Sequence, residues 1–194
     1  MPAKKVAKKV AKKTTKKAAK KMAKKHAGHG HEDDLRRAYE HLGRLEALQG
    51  AIASAVVKDI SDLTELARVT LLTGDTKSTA ELLRACEHLA FGSLASTTKE
   101  APIGDALQDA IAARYERLIE HAAERWDEQE TEPTELMTRA YEGAFDRAEQ
   151  AYAKGAFRRA LELARAADAL SHVHIAGELE LSDGGNGGKR RLKG

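Results

Sequence analysis

The sequence predicts an all-α protein: a bundle of about five or six helices, including two related αα-hairpins, between a lysine-rich N-terminal tail and a short Gly/basic C-terminal tail. Three observations lead there. Apolar residues recur at spacings of three and four from Glu32 to about Val173, the period of helices that each bury one stripe. Glycine, proline and capping residues punctuate that pattern at helix-length intervals. No segment shows the two-residue alternation, bounded by turn signals, that a sheet requires. With 194 residues and 42% hydrophobic content, the chain has room for one ordinary domain plus tails. The divisions expected are 1–31 for a basic tail and hinge, 32–176 for the bundle and 177–194 for the C-terminal tail.

The first stretch reads KKVAKKVAKKTTKKAAKKMAKK from Lys4 to Lys25: six lysine pairs at a strict period of four, with no acid before His26. So much charge without Leu, Ile or an aromatic cannot bury enough surface to offset the entropy of ordering, so free in solution this tail is expected to be disordered. On a helix, a period of four drifts by about 40° per repeat, so the pairs would wind slowly as a cationic stripe. Lysines four apart repel and melt such a helix unless a polyanion neutralises them. From Lys4 to Lys25 the helix would be about 33 Å long, close to the roughly 34 Å of one duplex turn. The arm contains no Arg, Asn, Gln or aromatic residue with which to read or stack on bases, so it would contact phosphate without sequence preference. Its expected phosphate ligands are Lys4, Lys5, Lys8, Lys9, Lys12, Lys13, Lys16, Lys17, Lys20, Lys21, Lys24 and Lys25. An interfacial membrane helix would want Trp, Phe or Leu on its apolar face, and no membrane partner is expected.

This run resembles the Lys/Ala-rich tails of linker histones and of bacterial linker-histone-like nucleoid proteins. The resemblance ends at Lys25 and implies binding and condensation of DNA. Nothing after Lys25 resembles the winged-helix domain of eukaryotic linker histones.

Charge is divided unevenly along the chain. Twelve of the 33 basic residues precede His26 while all 30 acids follow it, leaving 21 bases against 30 acids, or −9, for the rest. Attraction to nucleic acid therefore belongs to the arm, and the acidic body should be repelled by phosphate. The single Cys86 cannot form an internal disulfide, which fits a reducing compartment; inside a helical pattern it is expected in the core. The leading lysines are not followed by a hydrophobic signal core, and no apolar run approaches the length of a membrane span. A cytoplasmic, nucleoid location is expected, or a nuclear one in a eukaryotic host.

His26, His29 and His31 lie in a Gly-containing hinge that is expected to act as a flexible linker. The first helix is expected on Leu35, Ala38, Tyr39, Leu42, Leu45, Leu48 and Ile52, opened by Asp33 and Asp34. Gly50 and Lys58 to Ser61 are possible breaks, with Asp62 and Glu65 spaced as a cap and its partner. The next helix should stop at Gly74, a natural residue after a helix end. Ser78 and Glu81 have capping-box spacing, and the stripe behind them is Leu82, Leu83, Cys86, Leu89 and Ala90. Ser96 to Gly104, with Pro102, reads as a loop. A longer helix follows on Leu107, Ala110, Ile111, Leu118, Ile119, Ala122 and Trp126. Pro133 is placed like a first helical residue, and Leu136 to Ala148 carries its helix toward Gly155. Phe157 to Leu170 forms the last helix.

The chain also repeats itself. The one shift that superposes Ala67 on Ala148 also superposes Gly74 on Gly155, Glu81 on Glu162, Arg84 on Arg165 and Leu89 on Leu170, so two units read as helix, Gly turn, helix. Residues 140–170 resemble a tetratricopeptide hairpin, with Ala148, Gly155, Phe157, Ala160 and Ala167 on that family's small and aromatic positions. No second copy follows at that family's repeat length, and two αα-hairpins in one bundle is the simpler expectation.

A hexamer also recurs, at Arg37 to Leu42, Arg84 to Leu89, Arg117 to Ala122 and, degenerately, Arg165 to Leu170. Its Arg and Glu, three apart, are expected to pair along the helix surface. The sharper alternative is convergence of His41, His88 and His121 on one metal. Arg36 and His41 also have the spacing of the Arg/His pair that all-α nucleases of the HEPN class carry, a resemblance in this short motif alone. No catalytic residue, metal or cofactor is assigned, and no enzyme activity is expected.

Lys189, Arg190, Arg191 and Lys193 follow the glycine-rich 184–188 linker as a second basic end. With the arm they could touch separate phosphate tracks and bridge two duplexes. The expectation is sequence-nonspecific nucleic-acid binding, DNA before RNA, with the body used for self-association or protein docking. The alternative is a helical-hairpin adaptor that its tail localises to RNA or ribosomes; the second alternative is a His-dependent metal-binding or nuclease-like protein.

Overall fold

The computed structural model describes residues 30–94, 104–130 and 132–175. These form a helical bundle. Helix α1 covers 30–48, followed by a 3-10 turn at Gln49–Ala51. Then come α2 (Ser54–Leu72), α3 (Thr76–Gly92), α4 (Asp105–Asp127), α5 (Glu135–Ala153) and α6 (Phe157–Ser171). The described residues contain no strand, only an isolated antiparallel bridge between Ile52 and Leu94. Of the tail and hinge expected at 1–31 only Gly30 and His31 lie among the described residues, and they belong to α1 rather than to a flexible linker, His31 being held by Thr76; residues 177–194 lie outside them, and the Ser96 to Gly104 loop falls there only at Gly104.

Helices α3 and α6 pack on each other at the centre, with α2 against α3 and both α4 and α5 against α6. Small residues allow this. A Cβ on Gly92 would lie 2.5 Å from Leu163 Cγ and 3.3 Å from the Leu163 backbone nitrogen, and Ala160, Ala164 and Ala167 of α6 are fully buried. Leu63, Leu66, Leu82, Leu89, Leu163 and Leu170 fill the remaining volume as the largest buried side chains. Aromatic stacking ties α4 to α5: Trp126 lies on Tyr141 with centroids 4.0 Å apart, and Tyr115 on Tyr152 at 4.3 Å.

The two hairpins turn identically. At the first, Gly74 takes φ +85°, Asp75 N–H donates to Thr70 O at 3.1 Å and Gly74 N–H to Leu71 O at 3.0 Å. At the second, Gly155 takes φ +72°, Ala156 N–H donates to Ala151 O and Gly155 N–H to Tyr152 O, both at 2.9 Å. Each donor and acceptor of the second turn is the repeat counterpart of one in the first. This is a glycine-terminated Schellman ending, in which the left-handed residue lets two amides reach back to otherwise unsatisfied carbonyls. Gly155→Ala and Gly74→Ala should each cost about 1 kcal/mol of stability, because a Cβ there meets no clash within contact distance and only the left-handed backbone is penalised. Urea denaturation of the two variants should give similar losses.

Three sequence expectations need correction. Helix α2 runs unbroken through Lys58 to Ser61, because Val56, Ile60, Leu63, Leu66 and Ala67 make one continuous buried stripe that outweighs local propensity. Asp62 is thus inside the helix, where it pairs with Arg139 at 2.8 Å. Ser78 and Glu81 do not open α3: Asp75 is the cap, its side chain accepting the Ser78 N–H. Pro133 is not the first helical residue, since Thr134 caps α5 by accepting the Met137 N–H at 3.3 Å.

Candidate functional site

The twelve arm lysines, Lys4 to Lys25, and the C-terminal Lys189, Arg190, Arg191 and Lys193 lie outside the described residues, as do His26 and His29. The described residues bring together a chain of charges that runs from α1 across α3 and α6 to α4.

It starts where α1 meets α3. His31 Nδ1 and Thr76 Oγ1 are 2.8 Å apart, Arg37 lies 3.6 Å from Glu81, and Glu87 takes both His41 Nδ1 and, at 3.4 Å, Arg44 Nη1. Glu87 is buried, so these partners compensate a carboxylate that would otherwise be costly to desolvate. From α3 to α6, His88 Nδ1 meets Glu162 at 2.8 Å and Arg84 donates to Asp168 at 3.0 Å. Arg125 of α4 reaches the other Asp168 oxygen at 3.2 Å.

Arg125 and Asp168 are the repeat counterparts of Arg44 and Glu87, at the same offset that separates Gly155 from Gly74. The internal duplication therefore extends beyond the hairpins to the helices packed on them, α1 and α4. Sequence reasoning missed this part, although the same shift that superposed Gly74 on Gly155 also superposes these four residues.

The hexamers do not pair as expected. Arg37 contacts Asp34 and Glu81 rather than Glu40, and Arg84 contacts Glu81 and Asp168 rather than Glu87. Side chains on a helix lean toward its N-terminus, so an Arg meets the acid three residues before it more readily than the one three after. Arg165 with Glu162 and Arg68 with Glu65 follow the same rule. The glutamate of the second hexamer is left to bind another helix.

His41, His88 and His121 do not converge. The first holds Glu87, the second Glu162, and the third is exposed beside Glu124 at 3.7 Å. Among the described residues no group of three or more His, Cys, Asp or Glu is placed to hold a metal. Arg36 pairs with Asp33 and Glu40 on the exposed side of α1, while His41 turns inward to Glu87, so the two do not share a site. Cys86 is fully buried and burial pushes its thiol up to about 12, as its place in the core stripe requires. No helix of the described residues is long and apolar enough to cross a membrane.

Besides Arg37, raised by its hydrogen bond to Asp34, two groups in this network titrate abnormally. Burial, and then the Arg125 charge, lower the His172 imidazole below its ordinary range despite Asp168 nearby. For Glu162, burial pulls upward, but the His88 hydrogen bond and the Arg165 charge together hold the carboxyl below its ordinary value. Both shifts have the same sign for stability. The unfolded chain takes up each proton first, so His172 contributes stability above about pH 6.5 and Glu162 above about pH 4.3, each lost as pH falls through its folded value. Urea midpoints should therefore decline below about pH 6.5 and fall further below about pH 4.3. His172→Gln should flatten the upper step, whereas a midpoint that rises on acidification would contradict the assignment.

Comparison with protein-family models, with curated proteins and with solved structures finds no match to this chain.

Proposed function

We propose that this protein binds nucleic acid without sequence preference through its lysine arm, DNA before RNA, as a nucleoid-associated, DNA-compacting protein. The observation that supports the reading is the arm: twelve lysines in six evenly spaced pairs, joined to a body of net charge −9. Such a leader neutralises phosphates and releases their counterions, while the acidic body is kept off the duplex. The C-terminal Lys189, Arg190, Arg191 and Lys193 supply a second phosphate contact. The bundle serves self-association or protein docking.

The adaptor reading has one observation in its favour. The bundle exposes Tyr39 and Leu72, 63% and 74% accessible, on helices not otherwise covered there among the described residues. Gel-shift titrations of equal-length duplex DNA and RNA, together with flotation on anionic vesicles, test the proposal. The DNA reading requires duplex DNA to bind most tightly; preference for RNA favours the adaptor, and preference for vesicles overturns both.

A further inference from the structure

The negative charge of the body is gathered on one pair of helices. Residues 105–153, which hold α4 and α5, contain 13 acids against five bases, a net −8. Of those bases, Arg125, Arg139 and Arg147 are already paired, to Asp168, Asp62 and Asp59. On α4, Asp105, Asp109, Glu116, Glu120 and Asp127 fall within about 60° of arc, at about 100° per residue, and Arg114 and Arg117 lie off it. On α5, Glu135, Glu142, Asp146 and Glu149 share an arc of about the same width. All of these acids are exposed, and none is in an ion pair among the described residues.

The two rows meet across an aromatic seam. Tyr152 of α5 donates to Glu116 of α4 at 3.2 Å. Burial and then the Glu149 charge push the Tyr115 hydroxyl up to about 12, and burial and then Asp127 do the same for Tyr141. The fold does not require this acidity. In the first repeat unit, the positions equivalent to Glu116, Glu120, Glu142 and Glu149 hold Leu35, Tyr39, Ser61 and Arg68, on helices with the same places in the bundle. Like charges set side by side repel, so rows kept in one unit and absent from the other point to a cationic partner.

The chain itself holds a cationic segment of matching length. Asp105 to Asp127 span about 33 Å of helix, as a helix over Lys4 to Lys25 would. The arm also joins the bundle at the right end. His31, next to the start of α1, is 2.8 Å from Thr76, and Ser78 donates to His174 O at 3.5 Å. Val173 and Ile175, on either side of His174, close a small cavity with Gln129, Glu132 and Pro133, where α4 gives way to α5. The chain from Lys25 to Gly30 reaches about 18 Å, so Lys25 can stand by Asp127 while Lys4 stands by Asp105.

We propose that the acidic face of α4 and α5 is the docking surface of the lysine arm of the same chain, which lies along it until nucleic acid displaces it. Docking stands on the charge rows; displacement rests on the phosphate reading of the arm given above. Contact within one chain is independent of protein concentration, and contact between exposed charges weakens with salt.

A nitroxide carried on Ala7→Cys in the full chain tests this by NMR. Cys86 is fully buried, so the label goes to the arm. At low salt, amide broadening is expected along α4 and α5 and not along α2. It should vanish at high salt and persist on about tenfold dilution. It should also be lost in a Glu120→Gln/Glu142→Gln/Asp146→Asn/Glu149→Gln variant, whose exposed positions should let it fold, as an unchanged melting curve checks. Broadening that is absent at low salt, spread evenly over all helices, retained in the variant or lost on dilution would each overturn the docking. Saturating duplex should remove the broadening. Duplex that binds and leaves it in place overturns displacement; if no duplex binds, the phosphate reading fails, while the broadening pattern still decides the docking.

Discussion

Asp168→Ala is expected to destabilise the bundle by about 2–4 kcal/mol, the largest loss from any single charged residue discussed above. Asp168 is the crossing point of the charge network, with Arg84 of α3 on one oxygen at 3.0 Å and Arg125 of α4 on the other at 3.2 Å. Its side chain is 11% exposed, and those of the two arginines 26% and 34%. Removing the carboxylate leaves two guanidiniums partly desolvated and close to each other, whereas removing either arginine leaves Asp168 the other arginine, with His172 3.8 Å away. Partial exposure of the arginines lets water recover some of the loss, so the expected cost sits below the upper end known for fully buried pairs. A double-mutant cycle with Arg84→Leu, read by urea denaturation, checks the account. Asp168→Ala should cost much less in the Arg84→Leu background than in the native one.

A chain beginning at residue 30 is expected to lose duplex binding by at least about 100-fold, or about 2.7 kcal/mol. The intact chain should bind with a dissociation constant of about 10⁻⁴ to 10⁻⁶ M at physiological salt, the usual range for phosphate-driven, sequence-independent contacts. The shortened chain keeps the acidic body and a much smaller basic end, so the electrostatic term is nearly removed. Gel shift compares the two directly. Circular dichroism melts should stay similar, which separates loss of contact from loss of fold.

The helical class was legible because periodicity at three and four is local and repeated, and the glycines at 74 and 155 mark hairpin turns through their own conformational freedom. Local signals failed where packing overrode them. Lys58 to Ser61 looks like a break only if the burial of Val56, Ile60 and Leu63 on one continuous face is ignored. Asp75, rather than Ser78, caps α3, although it directly follows Gly74 and fits the sequence pattern equally well. The charge network was partly legible: the internal repeat exposed Glu81 with Glu162 and Arg84 with Arg165, but partners on different helices leave no local trace. Arg147, Lys154 and Arg159 illustrate the same limit, since only the fold puts residues of α5, α6 and the start of α2 around one recess. The arm lysines are the reverse case, readable from composition and spacing alone.

The most direct test of the central claim is duplex affinity measured against potassium chloride concentration for the intact chain. Release of counterions by about 8 to 10 neutralised phosphates predicts a slope of log affinity on log salt between about −7 and −9. A slope near zero, or the same slope and affinity in the chain that begins at residue 30, would contradict it.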